Sequence, residues 1–185
     1  MLFKRWLIVP SVFLCFAAYS QTPYSQTPKM AHAEFINAAS EMIGKATLTP
    51  AEGGVRIRIE ISQLSPGTHA LHIHALGKCE RPSFASAGGH FNPETMLHGV
   101  NNPRGPHAGD LSNLIAGADG RATAIIFAAR VTLGYGSNSL FHEGGTSLVI
   151  HEKGDDYQSD PDGNSGVRIA CAVIQKQNEE KAAPR

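Results

Sequence analysis

Nine histidines stand in this chain, and six of them fall into a pattern that suggests a metal site. His72 and His74 are two residues apart in the run Ala70-Leu71-His72-Ile73-His74. On a strand, alternate side chains share a face, so both imidazoles point one way and Leu71 and Ile73 the other. Two neighbouring rings form a natural ligand pair for one ion, although His-x-His also arises by chance on exposed strands. His90, His98 and His107 follow in a stretch rich in Gly, Pro and Asn, with Asp110 three residues after His107. Three histidines and a carboxylate are the set that a closed tetrahedral zinc site requires. An ion held in that way would organise the loop that carries its ligands. His151 ends the apolar run Ser147-Leu148-Val149-Ile150 and is placed to return to the first pair. Scattered surface histidines would not be confined to these few segments.

The elements that must position these groups read as strands. Val55 to Ile61 alternates apolar and charged residues in strict period two, which predicts a half-buried strand with one wet face. Further strands are expected at Ala46–Leu48, Ala122–Phe127, Ser147–Ile150 and Val167–Ile174, with His32 at the start of the first one. Turns are expected at Pro50 to Gly54 and at Ser65-Pro66-Gly67. No stretch carries a helical apolar stripe. Two segments, Leu76 to Ser112 and Gly154 to Gly166, do not fit the strand pattern. Long loops in a compact domain usually carry function, and the first of these holds three of the histidines. The expected fold is a small antiparallel barrel or sandwich with two long functional loops on one side.

At 185 residues the chain is long enough for one well-buried domain. Its formal net charge is zero, and Lys4 and Arg5 lie in the leader, so the remainder is slightly acidic. That composition supplies no basic face for nucleic acid. Residues 1–20 read as a secretory signal: Lys4 and Arg5, then an apolar stretch from Trp6 to Ala18, then small residues around a cut near Ser20. The stretch is too short to span a bilayer well, so no stable membrane span is expected after cleavage. Cys15 falls inside this leader. Residues 21–30 read as a flexible linker, since Ser-Gln-Thr-Pro occurs at Ser20–Pro23 and again at Ser25–Pro28. The expected location is the periplasm or the exterior of the cell. Export would favour a single disulfide between the remaining cysteines, Cys79 and Cys171, over two buried thiols. On the loop-closure model so long a loop would restrict the unfolded chain by about 4–5 kcal/mol.

Residues 31–175 resemble the copper–zinc superoxide dismutase family, close to its secreted bacterial type. The resemblance is carried by His72-Ile73-His74, Gly88-Gly89-His90-Phe91-Asn92-Pro93, His98-Gly99 and His107-Ala108-Gly109-Asp110-Leu111. It continues through His151-Glu152-Lys153-Gly154-Asp155-Asp156, Gly163-Asn164-Ser165-Gly166-Val167-Arg168 and Ile169-Ala170-Cys171. It implies an all-β, eight-stranded antiparallel Greek-key barrel, an immunoglobulin-like sandwich. It further implies one copper held by His72, His74, His90 and His151, and one zinc held by His90, His98, His107 and Asp110. His90 would be shared by both metals and carry a proton during catalysis. Arg168 would attract and bind the superoxide anion, and Asp155 would join His72 to His98 through their outer nitrogens. A Cys79–Cys171 bridge would tie the first long loop to the last strand and help position Arg168.

The segment between Asp155 and Arg168 is short and holds no lysine, which leaves Lys78, Arg81, Lys153 and Arg104 as candidates for guiding the anion. Residues 176–185 form a charged tail in place of the apolar C-terminus of the eukaryotic dimer, so a monomer and a bacterial-type homodimer both remain open. Non-catalytic metal carriers and copper-chaperone relatives of this family commonly lose a copper ligand or the arginine, and the presence of all of them here favours catalysis. A zinc hydrolase would need an open zinc position, and the zinc set is already full. His32, His69 and His142 lie outside both sets and read as structural or surface residues.

Overall fold

The computed structural model describes residues 30–177, so the expected leader, almost all of the expected linker and most of the expected tail lie outside it. Ten strands are present: β1 (Ala31–Asn37), β2 (Met42–Ala51), β3 (Gly54–Ile61), β4 (Gly67–His69), β5 (Leu71–His74), β6 (Leu114–Ala116), β7 (Ala122–Ala128), β8 (Ser147–His151), β9 (Arg168–Val173) and β10 (Gln175–Lys176). β4 and β5 are one strand interrupted at Ala70, whose N–H and C=O are taken by Lys153 O and His151 N. β9 and β10 are likewise one strand, interrupted at Ile174, whose N–H turns to Thr146 O. Counted in this way the strands number eight, as the resemblance implied.

The main sheet runs β5-β8-β9-β1-β2-β3-β7, all antiparallel, and β4 pairs with β6. β6 packs beside β7 and β4 runs on into β5, which carries the wall around toward the other edge. The connections from β3 to β4 and from β7 to β8 therefore cross between the two halves of the sheet, as a Greek key requires.

The alternation read in β3 holds: Val55, Ile57, Ile59 and Ile61 are buried while Arg56 and Arg58 are exposed. With Phe35, Leu48, Leu71, Ile73, Leu148 and Ile150 they fill one core inside the wall. β5 is buried on both faces: Leu71 and Ile73 enter the core, and His72 and His74 lie beneath the long loops. Some boundaries differ from the sequence expectation. β2 extends through Pro50, which was read as turn. Pairing with β1 stops at Leu48, so the missing N–H of Pro50 interrupts no bond on that side. The short β4, β6 and β10 were not foreseen, since three or fewer residues cannot display a period.

Candidate metal centre

The first long loop is attached to the strand that carries His72 and His74 by backbone hydrogen bonds. β5 is the outermost strand of the main sheet, and its free edge is met by two loop segments. Ile73 N–H donates to Gly109 O at 2.9 Å, Phe91 N–H donates to Ile73 O at 2.8 Å, and Ala75 N–H donates to Gly89 O at 2.9 Å. Gly109 N–H closes the set by donating to Phe91 O at 2.8 Å. His90 thus lies opposite His74, and Asp110 opposite His72. Gly109 has to be glycine here, because a Cβ at that position would lie 2.3 Å from Ile73 O. His151 arrives at the end of β8, the neighbour of β5.

Two groups of donors result. Ligand atoms of His72, His74, His90 and His151 all lie within 4.8 Å of one another. Their inward nitrogens, His72 Nδ1 and Nε2 of His74, His90 and His151, are buried without any hydrogen-bond partner. A buried imidazole nitrogen left unpaired is costly, and four converging on one point match the chemistry of a cation. The rings of His72 and His90 are 3.9 Å apart, centre to centre.

The second group forms around Asp110. Its Oδ1 lies 2.9 Å from His90 Nδ1, 3.0 Å from His98 Nδ1 and 3.3 Å from His107 Nδ1, and the Nδ1 atoms of His90 and His107 are 3.3 Å apart. His72, His90, His98 and Asp110 also bring ligand atoms within 4.8 Å of one another. His72, however, has one free nitrogen, already directed into the first group, because its Nε2 is bonded to Asp155. His107 is the better fourth member. His90 alone turns a nitrogen into each group. All six ligand histidines expected from the sequence, and Asp110, are therefore brought together.

The outward nitrogens are held by oxygens. Asp155 accepts from His72 Nε2 and His98 Nε2, each at 2.9 Å, and so spans the two groups. His74 Nδ1 donates to Gly88 O at 2.9 Å. His151 Nδ1 donates to Gly166 O at 3.2 Å and lies 3.0 Å from the Ser165 hydroxyl. Gly163, at φ 66°, packs directly on this network; a Cβ there would lie 1.9 Å from Asp155 Oδ1.

Electrostatics divides the rings. Burial pushes His72 down to about 3 and His151 down to about 4, lowers His74 well below the ordinary imidazole value, and lowers His90 despite its bond to Asp110. Burial also opposes charge on His98, but the carboxylates of Asp110, 3.0 Å from Nδ1, and Asp155, bonded to Nε2, overcome it and raise the ring to about 10. Burial would raise both carboxyls, and their imidazole partners hold them well below the usual carboxylate range. The first group is thus a nest of neutral imidazoles, and the second pairs an imidazolium with fixed carboxylates.

Arg168, partly buried at the start of β9, donates to Phe84 O and Gly88 O, each at 2.7 Å. Gly88 O thus serves both Arg168 and His74. The arginine lines a cleft with Pro82, Ser83, Ala85, Gly166 and Val167. After burial and the neighbouring His90, its positive charge is a further influence against protonation of His74 and His151. Cys79 and Cys171 form a disulfide that fastens the Arg168-holding loop to β9. Of the proposed guides, the Lys153 stem lies against Gly166, two residues before Arg168, whereas Arg81 lines a separate cleft with Ala38, Cys79, Glu80 and Pro82.

The other histidines have structural settings. His69 is buried, with Nδ1 2.8 Å from His151 O and Nε2 2.8 Å from Ser65 O, so it steadies the backbone of His151. His142 stacks on Phe91 at 5.1 Å. His32 lies on β1. Asn113 was missed by sequence reasoning: its side chain donates to Asp155 O at 3.0 Å and accepts Asp155 N–H at 2.8 Å. An asparagine next to a predicted loop end gives no sign of a contact 42 residues away.

Known proteins resemble this chain in sequence and fold. The family described as copper/zinc superoxide dismutase (SODC) matches residues 42–174. A superoxide dismutase [Cu-Zn] of Aquifex aeolicus is 45% identical over 175 residues, covering 94% of this chain and 99% of that protein. A superoxide dismutase-like protein of Bacillus subtilis is 41% identical over 153 residues, covering 81% of this chain and 78% of that protein. Among solved structures, a SOD-like protein from B. subtilis superposes with a TM-score of 0.75 at 41% identity, covering 77% of this chain and 96% of the other. The Cu/Zn superoxide dismutase of Brucella abortus gives 0.64 at 28% identity, covering 79% and 99%.

Proposed function

The chain belongs to the copper/zinc superoxide dismutase family, and from that membership we propose how its side chains divide the conversion of two superoxide anions and two protons into dioxygen and hydrogen peroxide. Copper and zinc are its cofactors. His72, His74, His90 and His151 would hold copper, and His90, His98, His107 and Asp110 would hold zinc. Bound copper supplies a one-electron couple that superoxide can both reduce and reoxidise, while zinc, which has no redox chemistry, fixes charge and geometry.

The observation that carries this reading is the set of unpartnered buried nitrogens, which converge on one point while the outer nitrogens of His72, His74 and His151 are bonded to oxygen. Those outer bonds fix each tautomer, so the inward nitrogen presents its lone pair. Arg168 carries a positive charge at the cleft, held toward it by two carbonyls, where it would attract and bind the anion. His90 can hold a proton at Nε2 while Nδ1 stays beside Asp110. Burial disfavours a second proton, so the ring would stay neutral while it holds that one.

The assignment is tested by metal analysis and a superoxide assay on the wild type and His151→Ala. The variant is expected to lose copper and dismutation together while keeping zinc. Full activity after copper loss would reject the copper site. We propose export as well, as antioxidant defence outside the cytoplasm. The leader-like residues 1–20 support it, as does a disulfide of the kind that persists in oxidising compartments. Among the described residues no helix is long and apolar enough to cross a membrane. Cell fractionation with and without residues 1–20 decides the point, and equal cytoplasmic retention of both forms would reject export.

A further inference from the structure

The loop of residues 154–166 supplies no ligand to either donor group, yet it reaches several of the rings. Asp155 accounts for the outer nitrogens of His72 and His98, Gly88 for that of His74, and Gly166 for that of His151. His90 has a nitrogen in each group and needs no outer partner. His107 is the remaining ring. Its Nδ1 faces the second group, and its Nε2 faces Asp160 Oδ1 at 3.9 Å, an ion-pair distance longer than a hydrogen bond. The same oxygen already accepts the His98 N–H at 2.7 Å. Asp160 is thus held against the backbone of one zinc-side residue and directed at the side chain of another. It does so from a half-exposed position, with 43% of its side chain accessible.

We propose that Asp160 is a positioning residue for zinc. With His107 Nδ1 given to the ion, the Asp160 carboxylate takes the Nε2–H, fixes the ring's tautomer and raises its basicity. Through the His98 N–H it ties two zinc ligands to one anion. The physical basis is general: a ligating imidazole whose far N–H meets a carboxylate is oriented and made a stronger donor. Asp155 then joins the two metal groups to each other, while Asp160 joins two ligands within the zinc group. This inference rests on assigning His107 to zinc.

Asp160→Asn keeps an oxygen for the His98 N–H and removes the charge that would serve His107. Zinc dissociation constants, measured by competition with a chromophoric chelator, should rise about 10-fold or more in this variant, with copper binding unchanged. Asp156→Asn controls for general disturbance of the loop, because Asp156 bonds Gln158, Ser159 and Asn164 and touches no ligand. It should bind zinc as the wild type does. Imidazole NMR gives a second measure: the zinc-loaded wild type should show a slowly exchanging His107 Nε2–H that is lost in Asp160→Asn. The proposal is overturned if Asp160→Asn binds zinc like the wild type, if Asp156→Asn loses as much affinity, or if the wild-type His107 Nε2–H exchanges as fast as that of a free imidazole. Retention of zinc by His107→Ala would overturn the underlying ligand assignment instead.

Discussion

Each outward nitrogen bonded to an oxygen determines what its inward partner can do, and the two donor groups differ sharply in how protons already occupy them. His72, His74 and His151 are neutral, held low chiefly by burial. His98 is raised, so in metal-free protein it carries a proton between Asp110 and Asp155 at neutral pH. Its contribution to stability is fully present below the ordinary histidine value of about 6.5 and is lost as pH rises through about 10. Metal-free protein should therefore melt lower at pH 10 than at pH 7, and zinc loading should diminish that difference. Zinc uptake at pH 7 should release about one proton from His98, measurable as a buffer-dependent enthalpy in titration calorimetry. Arg168→Ala makes a separate demand. Activity should fall about 10-fold or more, with both metals retained by elemental analysis. Loss of metal would give Arg168 a structural role instead. The members of the two donor groups were legible in the sequence because His-x-His on a strand, joined by a clustered His and Asp set, points to a metal-binding pattern. The role of His69 was not, because strand parity shows which side a ring leaves from but not which carbonyls await it.

The two loops act as a coupled pair. Asn113, just before β6, clamps the Asp155 peptide from both sides, and its own N–H donates to the Tyr157 hydroxyl at 2.9 Å. Asn113→Ala would release Asp155, and with it the outer support of His72 and His98. Zinc affinity should fall about 10-fold, read by chelator competition, with a loss of about 1–3 kcal/mol in denaturant unfolding from the unpaired peptide groups. Gly163→Ala should have a stronger effect on metal loading, since its φ of 66° and the 1.9 Å approach to Asp155 leave no room for a methyl group. The loops were predicted as loops because their composition excludes strand periodicity. The pairing of the first loop along β5 was not predictable, since it uses backbone groups that any residue possesses.

The first loop is fastened to the barrel by a small amount of additional chemistry. The Cys79–Cys171 bridge joins residues 92 apart and anchors a small apolar cluster, Phe84, Ala87, Val149 and Cys171, outside the main core. Replacing both cysteines with serine should cost about 2–5 kcal/mol in urea unfolding. It should also lower dismutation while the fold persists, because Phe84 and Gly88 are the residues that hold Arg168. An antiparallel barrel or sandwich was legible from alternation and turn residues, and its eight strands were implied by the family resemblance. The breaks at Ala70 and Ile174 were not, since each is set by a bond to a distant carbonyl.

The contact between the first loop and β5 has a bearing on solubility. Residues 89–91 and 108–110 seal the backbone of an outermost strand, and they also carry His90 and Asp110. A molecule deprived of its ions would hold that seal less firmly, and Ile73 and Ala75 could then offer bare amide and carbonyl groups to another polypeptide. Metal supply would thereby govern how well this protein stays dispersed as well as how fast it turns over. Light scattering of stripped and reloaded samples at matched concentration should show growth of large particles in the stripped sample alone.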